Sequence, residues 1–128
     1  MPVALILHVE DNPSNRKVIQ HILRRTTHRL IEAVNGQEGL EMAMKELPDL
    51  ILLDIQLPKL SGYEVARRLK ADEKFRQIPI IAVTSYALSG DDHKAIKAGC
   101  DAYIAKPYKP VEILEGLARF LGEESGER

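Results

Sequence analysis

Five side chains suited to metal and phosphate chemistry fall at the ends of apolar segments. Asp54 closes the run Leu50-Ile51-Leu52-Leu53, and Pro58 follows four positions later. Glu10 and Asp11 close a second run, Val3 to Val9, which only His8 interrupts. Thr84 closes a third, beginning at Pro79, and Lys106-Pro107 a fourth, Asp101 to Ala105. If these ends share one rim, the three carboxylates repel unless one is protonated or a cation joins them. Oxygen ligands with retained waters suit a hard ion, and Mg²⁺ fits best, with Mn²⁺ as its substitute. The Lys106 ammonium and the Thr84 hydroxyl match a tetrahedral phosphoryl oxyanion. Asp54 is then the candidate nucleophile, forming an aspartyl phosphate. Metal and lysine would offset charge on the transferring group, which is most of what phosphoryl transfer asks of a protein.

Those ends share a rim only if the runs are parallel strands. A continuous apolar run is the pattern of a strand buried on both faces. Pro58 cannot continue such a strand, so the chain leaves the sheet near Asp54. Between the runs lie helical patterns. Val18, Ile19, Ile22 and Leu23 predict a helix from about Pro13 to Arg25, capped by Asp11 or Asn12. Leu30 to Val34 is a shorter, more polar strand expected at an edge, and Asn35-Gly36 is a turn signal. Gly39, Leu40, Ala43, Met44 and Leu47 mark one face of a second helix, ended before Pro48. Ser61-Gly62 opens a third, with Val65, Ala66 and Leu69 inward and Arg67, Arg68 and Lys70 facing water. Residues 85–99 give a weakly periodic fourth helix stopped by Gly99, and Val111 to Leu121 a clear fifth. Five alternations with short connections predict a doubly wound α/β fold, a parallel sheet with helices on both faces. One domain is expected to fill residues 1–128, with a core over 3–121 and a polar tail over 122–128.

Bulk properties exclude several classes. The 128 residues are the commonest size for one domain and need no disulfide or metal staple. With 45% hydrophobic and 29% charged residues, the chain is neither disordered nor membrane-like. Basic and acidic residues nearly cancel, 18 against 19, so nothing argues for nucleic acid or an anionic membrane. Cys100, the one cysteine, allows no internal disulfide and suits a reducing compartment. No apolar run approaches a membrane span, and Val3 to Leu7 lacks the flanks of a signal peptide. A cytoplasmic domain is expected.

The constellation resembles the receiver domain of two-component response regulators (CheY-like), over residues 3 to 121. The residues that carry the resemblance are the acidic pair Glu10-Asp11, the acceptor Asp54, Pro58 and Gly62 in the following loop, Thr84, and Lys106-Pro107. The resemblance implies a flavodoxin-like (βα)5 fold with strand order 2-1-3-4-5. It implies Mg²⁺ held by Glu10, Asp11, Asp54 and the backbone carbonyl of Gln56, and a cis Lys106-Pro107 bond. It implies that Asp54 takes a phosphoryl group from a sensor histidine kinase or histidine phosphotransfer protein, and that the domain catalyses its own phosphorylation and dephosphorylation without being an enzyme in the ordinary sense. Thr84 and Tyr103 would be the switch residues that remodel a surface for a downstream protein. The first helix and Tyr108-Lys109-Pro110 would dock the kinase. Asp11-Asn12-Pro13-Ser14-Asn15 resembles receivers of hybrid kinases and of single-domain cell-cycle or relay regulators, and no output domain is expected. Ser85 stands where alanine is usual and Leu57 where methionine is frequent, a near volume-conserving change. Bulky Tyr86 is expected to impede the attacking water and slow dephosphorylation.

Other readings compete. A phosphate-independent interaction module would have lost Asp54, Lys106 or the acidic pair, and none is lost. A hydrolase would need an acid/base beside its nucleophile, and Gln56 cannot serve. A flavodoxin would need a Gly/Ser/Thr-rich phosphate loop after the first strand. His8 is expected in the core or at a sheet edge, not as a ligand; His21, His28 and His93 show no metal spacing; Cys100 is expected small and partly buried.

Overall fold

The apolar runs do become parallel strands. A computed structural model describes residues 3–85 and 91–122. Chain order is β1 (Leu5–Val9), α1 (Pro13–Leu23), β2 (Arg29–Ala33), α2 (Gly36–Glu46), β3 (Leu50–Asp54), α3 (Gly62–Lys70), β4 (Ile80–Thr84), α4 (Asp91–Ala98), β5 (Ala102–Ala105) and α5 (Pro110–Leu121). The strands form one sheet in the order β2-β1-β3-β4-β5, every neighbouring pair parallel. The central strands β3 and β4 are buried at every residue, while β2 and β5 at the edges are partly exposed. Tyr86, and with it the expected brake on dephosphorylation, lies outside the described residues, as does most of the polar tail.

Alternation along the strands divides the core into two layers. Leu7, Val9, Ile51, Leu53 and Ala82 pack against Leu40 and Ala43 of α2, Val65 and Leu69 of α3, and Ala95 and Ala98 of α4. Ile6, Leu50, Leu52 and Ile81 pack against Ile19 and Ile22 of α1 and Ile113 and Leu117 of α5. Each fully buried Leu or Ile contributes about 1.5–3 kcal/mol through apolar area removed from water. Helix starts are capped locally. Asn12 Oδ1 accepts the amides of Ser14 and Asn15 at 2.8 and 3.1 Å, with Pro13 at the first helical position. Asn35 Oδ1 accepts the Glu38 amide at 2.8 Å, so α2 begins at Gly36, inside what the sequence presents as a turn.

Several sequence expectations need correction. α1 stops at Leu23, two residues short of Arg25, and β2 begins one residue earlier than Leu30. Val18, Met44, Leu47, Ile96 and Val111 are exposed. Leu47 is the left-handed C-cap of α2, at φ 49°, which turns its side chain off the helical stripe. Lys70 does not face water: its ammonium turns in to Asp101 Oδ2 and to the carbonyls of Arg76 and Ile78, each at 2.9 Å. Cys100 is fully buried, and burial pushes its thiol up to about 12, which makes it inert.

Candidate functional site

The ladders extend one residue beyond the strands at the carboxyl rim, and this is what holds the site residues in place. The Glu10 amide donates to the Ala33 carbonyl at 3.0 Å, the Ile55 amide to Val83 at 3.2 Å, and the Lys106 amide to Thr84 at 2.8 Å. β3 therefore delivers Asp54, and β4 and β5 deliver Thr84 and Lys106, in register across neighbouring strands. The Lys106-Pro107 bond is cis.

The side chains converge. Glu10, Asp11 and Asp54 each offer a carboxylate oxygen, and these three oxygens lie within 4.8 Å of one another. Lys106 Nζ donates to Glu10 Oε1 at 3.1 Å and reaches Asp54 Oδ2 at 3.5 Å. Glu10, Asp54 and Thr84 are buried, whereas Asp11 is exposed at the pocket mouth. Asp54 Oδ1 also accepts the Gln56 amide at 3.0 Å, which ties this carboxylate to the loop behind it. Arg16 of α1 reaches back to the Glu10 carbonyl at 2.9 Å and fixes the acidic turn from the helix side. Asp11, Gln56, Ser61, Tyr63 and Lys94 line an open cleft of about 630 Å³ beside the acids. Tyr103 lies on β5 opposite Ala82 and is 42% exposed.

Electrostatics separates the two buried acids. Burial and the neighbouring Glu10 charge push the Asp54 carboxyl up to about 6, against the pull of Lys106 and the Gln56 amide. Burial pushes Glu10 the same way, but the closer Lys106 ammonium outweighs it and holds Glu10 below the usual carboxylate range. One ammonium thus serves the two buried acids, and its nearer contact goes to Glu10. Oxygen donors only, partly open to solvent and short of positive charge, fit a hard divalent cation. His8 is a core residue one layer below, on β1 between Glu32 and Leu52. Among the described residues its Nδ1 has no hydrogen-bond partner, burial lowers its pKa to about 4, so it is neutral, and it is not one of the residues whose donor atoms gather in the cluster.

Two glycines do more than the sequence reading assigned them. Gly62 was legible as a helix start and as part of the resemblance, yet a Cβ there would lie 2.4 Å from the Asp54 carbonyl, so it also permits α3 to begin against the Asp54 backbone. Gly36 was legible as a turn, yet it presses on the loop after Asp54; the signal was the glycine itself, inside a helix where it costs stability.

A 2-1-3-4-5 parallel sheet with acids and a lysine at its carboxyl rim defines a flavodoxin-like α/β receiver fold. The family model described as response regulator receiver domain matches residues 6–118. The chain is 42% identical over 123 residues to the polar-differentiation response regulator DivK of Brucella anthropi, covering 96% of this chain and 99% of that protein. Among solved structures it is similar to the receiver domain of the sensor histidine kinase PA1611 of Pseudomonas aeruginosa, which holds a magnesium ion in its active-site cleft (TM-score 0.88, 39% identity, 95% of this chain and 100% of that one). It is also similar to a Mn²⁺-bound response regulator, Rcp1 (TM-score 0.79, 26% identity, 92% of this chain and 94% of that one). The chain belongs to the response regulator receiver domain family of two-component signalling.

Proposed function

We propose that Asp54 is the phosphoacceptor of a Mg²⁺-dependent transfer from a sensor histidine kinase or a histidine phosphotransfer protein. The observation that carries this is the convergence of three carboxylate oxygens within 4.8 Å and one ammonium 3.5 Å from Asp54. Glu10, Asp11, Asp54 and the Gln56 carbonyl would hold the ion, with Mn²⁺ able to replace it. Bound Mg²⁺ supplies charge neutralisation on the transferring phosphoryl group. An Asp54 carboxylate oxygen attacks phosphorus, an O–P bond forms as the donor's N–P bond breaks, and the leaving imidazole takes up a proton. Lys106 and Thr84 then contact the phosphoryl oxygens. Water attack on the aspartyl phosphate returns inorganic phosphate and resets the domain. Thr84 drawn toward the phosphoryl group makes room for Tyr103 to turn inward, and the surface around α4, β5 and α5 changes for a downstream partner.

The same reading takes residues 1–128 as one receiver domain, with its core over 3–121, working in the cytoplasm. Among the described residues no helix is long and apolar enough to cross a membrane. Phosphate-independent binding is not favoured, because Asp54, Lys106 and the acidic pair are all retained, and their side chains gather at one rim. The test is incubation with Mg²⁺ and a small acyl-phosphate donor, with Asp54→Ala in parallel. The wild type is expected to gain the mass of one phosphoryl group and the variant none. Equal gain in both, or gain in neither, overturns the assignment.

A further inference from the structure

Most of the site is explained by strand ends, but the loop that carries Gln56 is not. Residues 55–61 join β3 to α3, and Gln56, Pro58 and Lys59 are exposed. Lys59 sits at φ 71°, an unfavourable conformation for a side chain with a Cβ, at the centre of a tight turn that the Leu60 amide closes on the Pro58 carbonyl at 2.8 Å. The start of α2 abuts both ends of this turn. The Gly36 amide faces the Pro58 carbonyl at 3.4 Å, and a Cβ on Gly36 would fall 1.7 Å from the Leu60 carbonyl oxygen. No rotamer relieves that overlap, because both atoms belong to or sit directly on backbone.

We infer that Gly36, the first residue of α2, is a positioning residue for the metal-holding loop: its missing side chain lets α2 brace the backbone that presents Gln56. This rests on the phosphoacceptor reading above. The path is short. Gly36 abuts Pro58 and Leu60; these follow Gln56 with only Leu57 between; the Gln56 amide donates to Asp54 Oδ1 at 3.0 Å. When a methyl group is forced in, the loop yields rather than the helix. α2 is seated by buried Leu40 and Ala43 and by Gly39 against Val9, whereas the loop is largely exposed. Removing an outer support of a ligand in this way typically weakens a metal by 10–100-fold.

Gly39 supplies the matched comparison. A Cβ there would meet the Val9 side chain at 2.8 Å, and its three nearest neighbours all belong to Val9 rather than to the loop. Gly36→Ala and Gly39→Ala are both expected to lower the melting temperature. Gly36→Ala alone is expected to raise the Mg²⁺ dissociation constant about tenfold, read by calorimetric titration of the unphosphorylated protein. Equal weakening in Gly39→Ala, or none in Gly36→Ala, overturns the inference. Because Gly36→Ala risks not folding, the wild type carries a second arm, a Mg²⁺ titration followed by amide NMR. The Gly36 amide is expected to shift on the same curve as Gln56, with Ala43 in mid-α2 unmoved. A stationary Gly36 beside a moving Gln56 sinks the brace and leaves the phosphoacceptor reading standing; no response at any site residue sinks that reading itself.

Discussion

The two rims of the sheet use the same residue types for opposite ends. At the amino rim, Asp49 Oδ2 accepts the Leu5 amide at 2.7 Å, and Asp101 Oδ2 accepts the Ile80 amide at 2.8 Å and Lys70 Nζ at 2.9 Å. Lys70 spends all three of its donors, on Asp101 and two carbonyls. Lys70 and Asp101 match each other's charge and tie α3 to β4 and β5, while Asp49 ties the start of β3 to β1. At the carboxyl rim, three carboxylates gather, and among the described residues only two of them, Glu10 and Asp54, are paired, both with the same Lys106 ammonium. What separates the structural Lys70–Asp101 pair from the cluster proposed to react is satisfaction: the first is fully engaged, and the second is left short of positive charge, as a site proposed for a cation and a phosphoryl group should be.

That contrast can be broken by exchanging losses between the rims. The largest effect is expected at Asp54, where Asn should abolish phosphoryl uptake altogether in a mass measurement while the fold survives. A residual gain of one phosphoryl group would point to a second acceptor. Lys106→Met should slow phosphorylation by about 10²–10³-fold, the cost of losing one donor to a developing oxyanion. The same change should tighten Mg²⁺ binding, since it removes a competing charge from the acids. Looser binding in that variant would contradict the charge argument.

The third test is a pH series. His8 is held neutral in the folded state at a pKa of about 4, against 6.5 for the free side chain. The unfolded chain therefore binds a proton that the folded chain refuses, and this contribution to stability is lost as pH falls from about 6.5 to 4. The full amount is about 3 kcal/mol. Asp54, raised to about 6, acts oppositely: its folded form keeps a proton the unfolded chain has released, so stability falls as pH rises from about 4 to 6. The difference between wild type and His8→Leu isolates the first effect, and urea melts at pH 7 and 4.5 should show the variant losing less on acidification. The smallest expected effect is at the amino rim. Lys70→Met should cost about 1–2 kcal/mol of stability, reduced by partial exposure, and leave the phosphorylation rate unchanged. A slowed rate would mean that the rims are not independent.

Sequence patterning made the strand ends legible because fully buried parallel strands leave no polar residue until the chain exits. Asp54, Thr84 and Lys106 could therefore be placed on one rim without coordinates, and the strand order followed from the family resemblance. Pairings that depend on direction were not legible. Lys70 looked like a third basic residue on a wet helix face, but its position at the end of α3 lets it curl under to Asp101, 31 residues away. Met44 and Leu47 extended an apolar period that the left-handed cap at Leu47 interrupts. Gly36 looked like punctuation because its importance lies in what would collide with it, Leu60, which no local pattern relates to it. His8 was ambiguous between core and edge until β2 paired outside β1.

The bond between Lys106 and Glu10 joins residues 96 apart in the chain. No piece lacking either end of that span can assemble the whole pocket, since β1 and β5 each deliver a part of it. On the proposed reading, a nascent polypeptide on the ribosome would respond only feebly to phosphate donors until β5 has emerged and docked. Full competence at Asp54 would in this sense be a certificate that the whole sheet has closed, and truncated or misassembled copies would be muted rather than wrongly active.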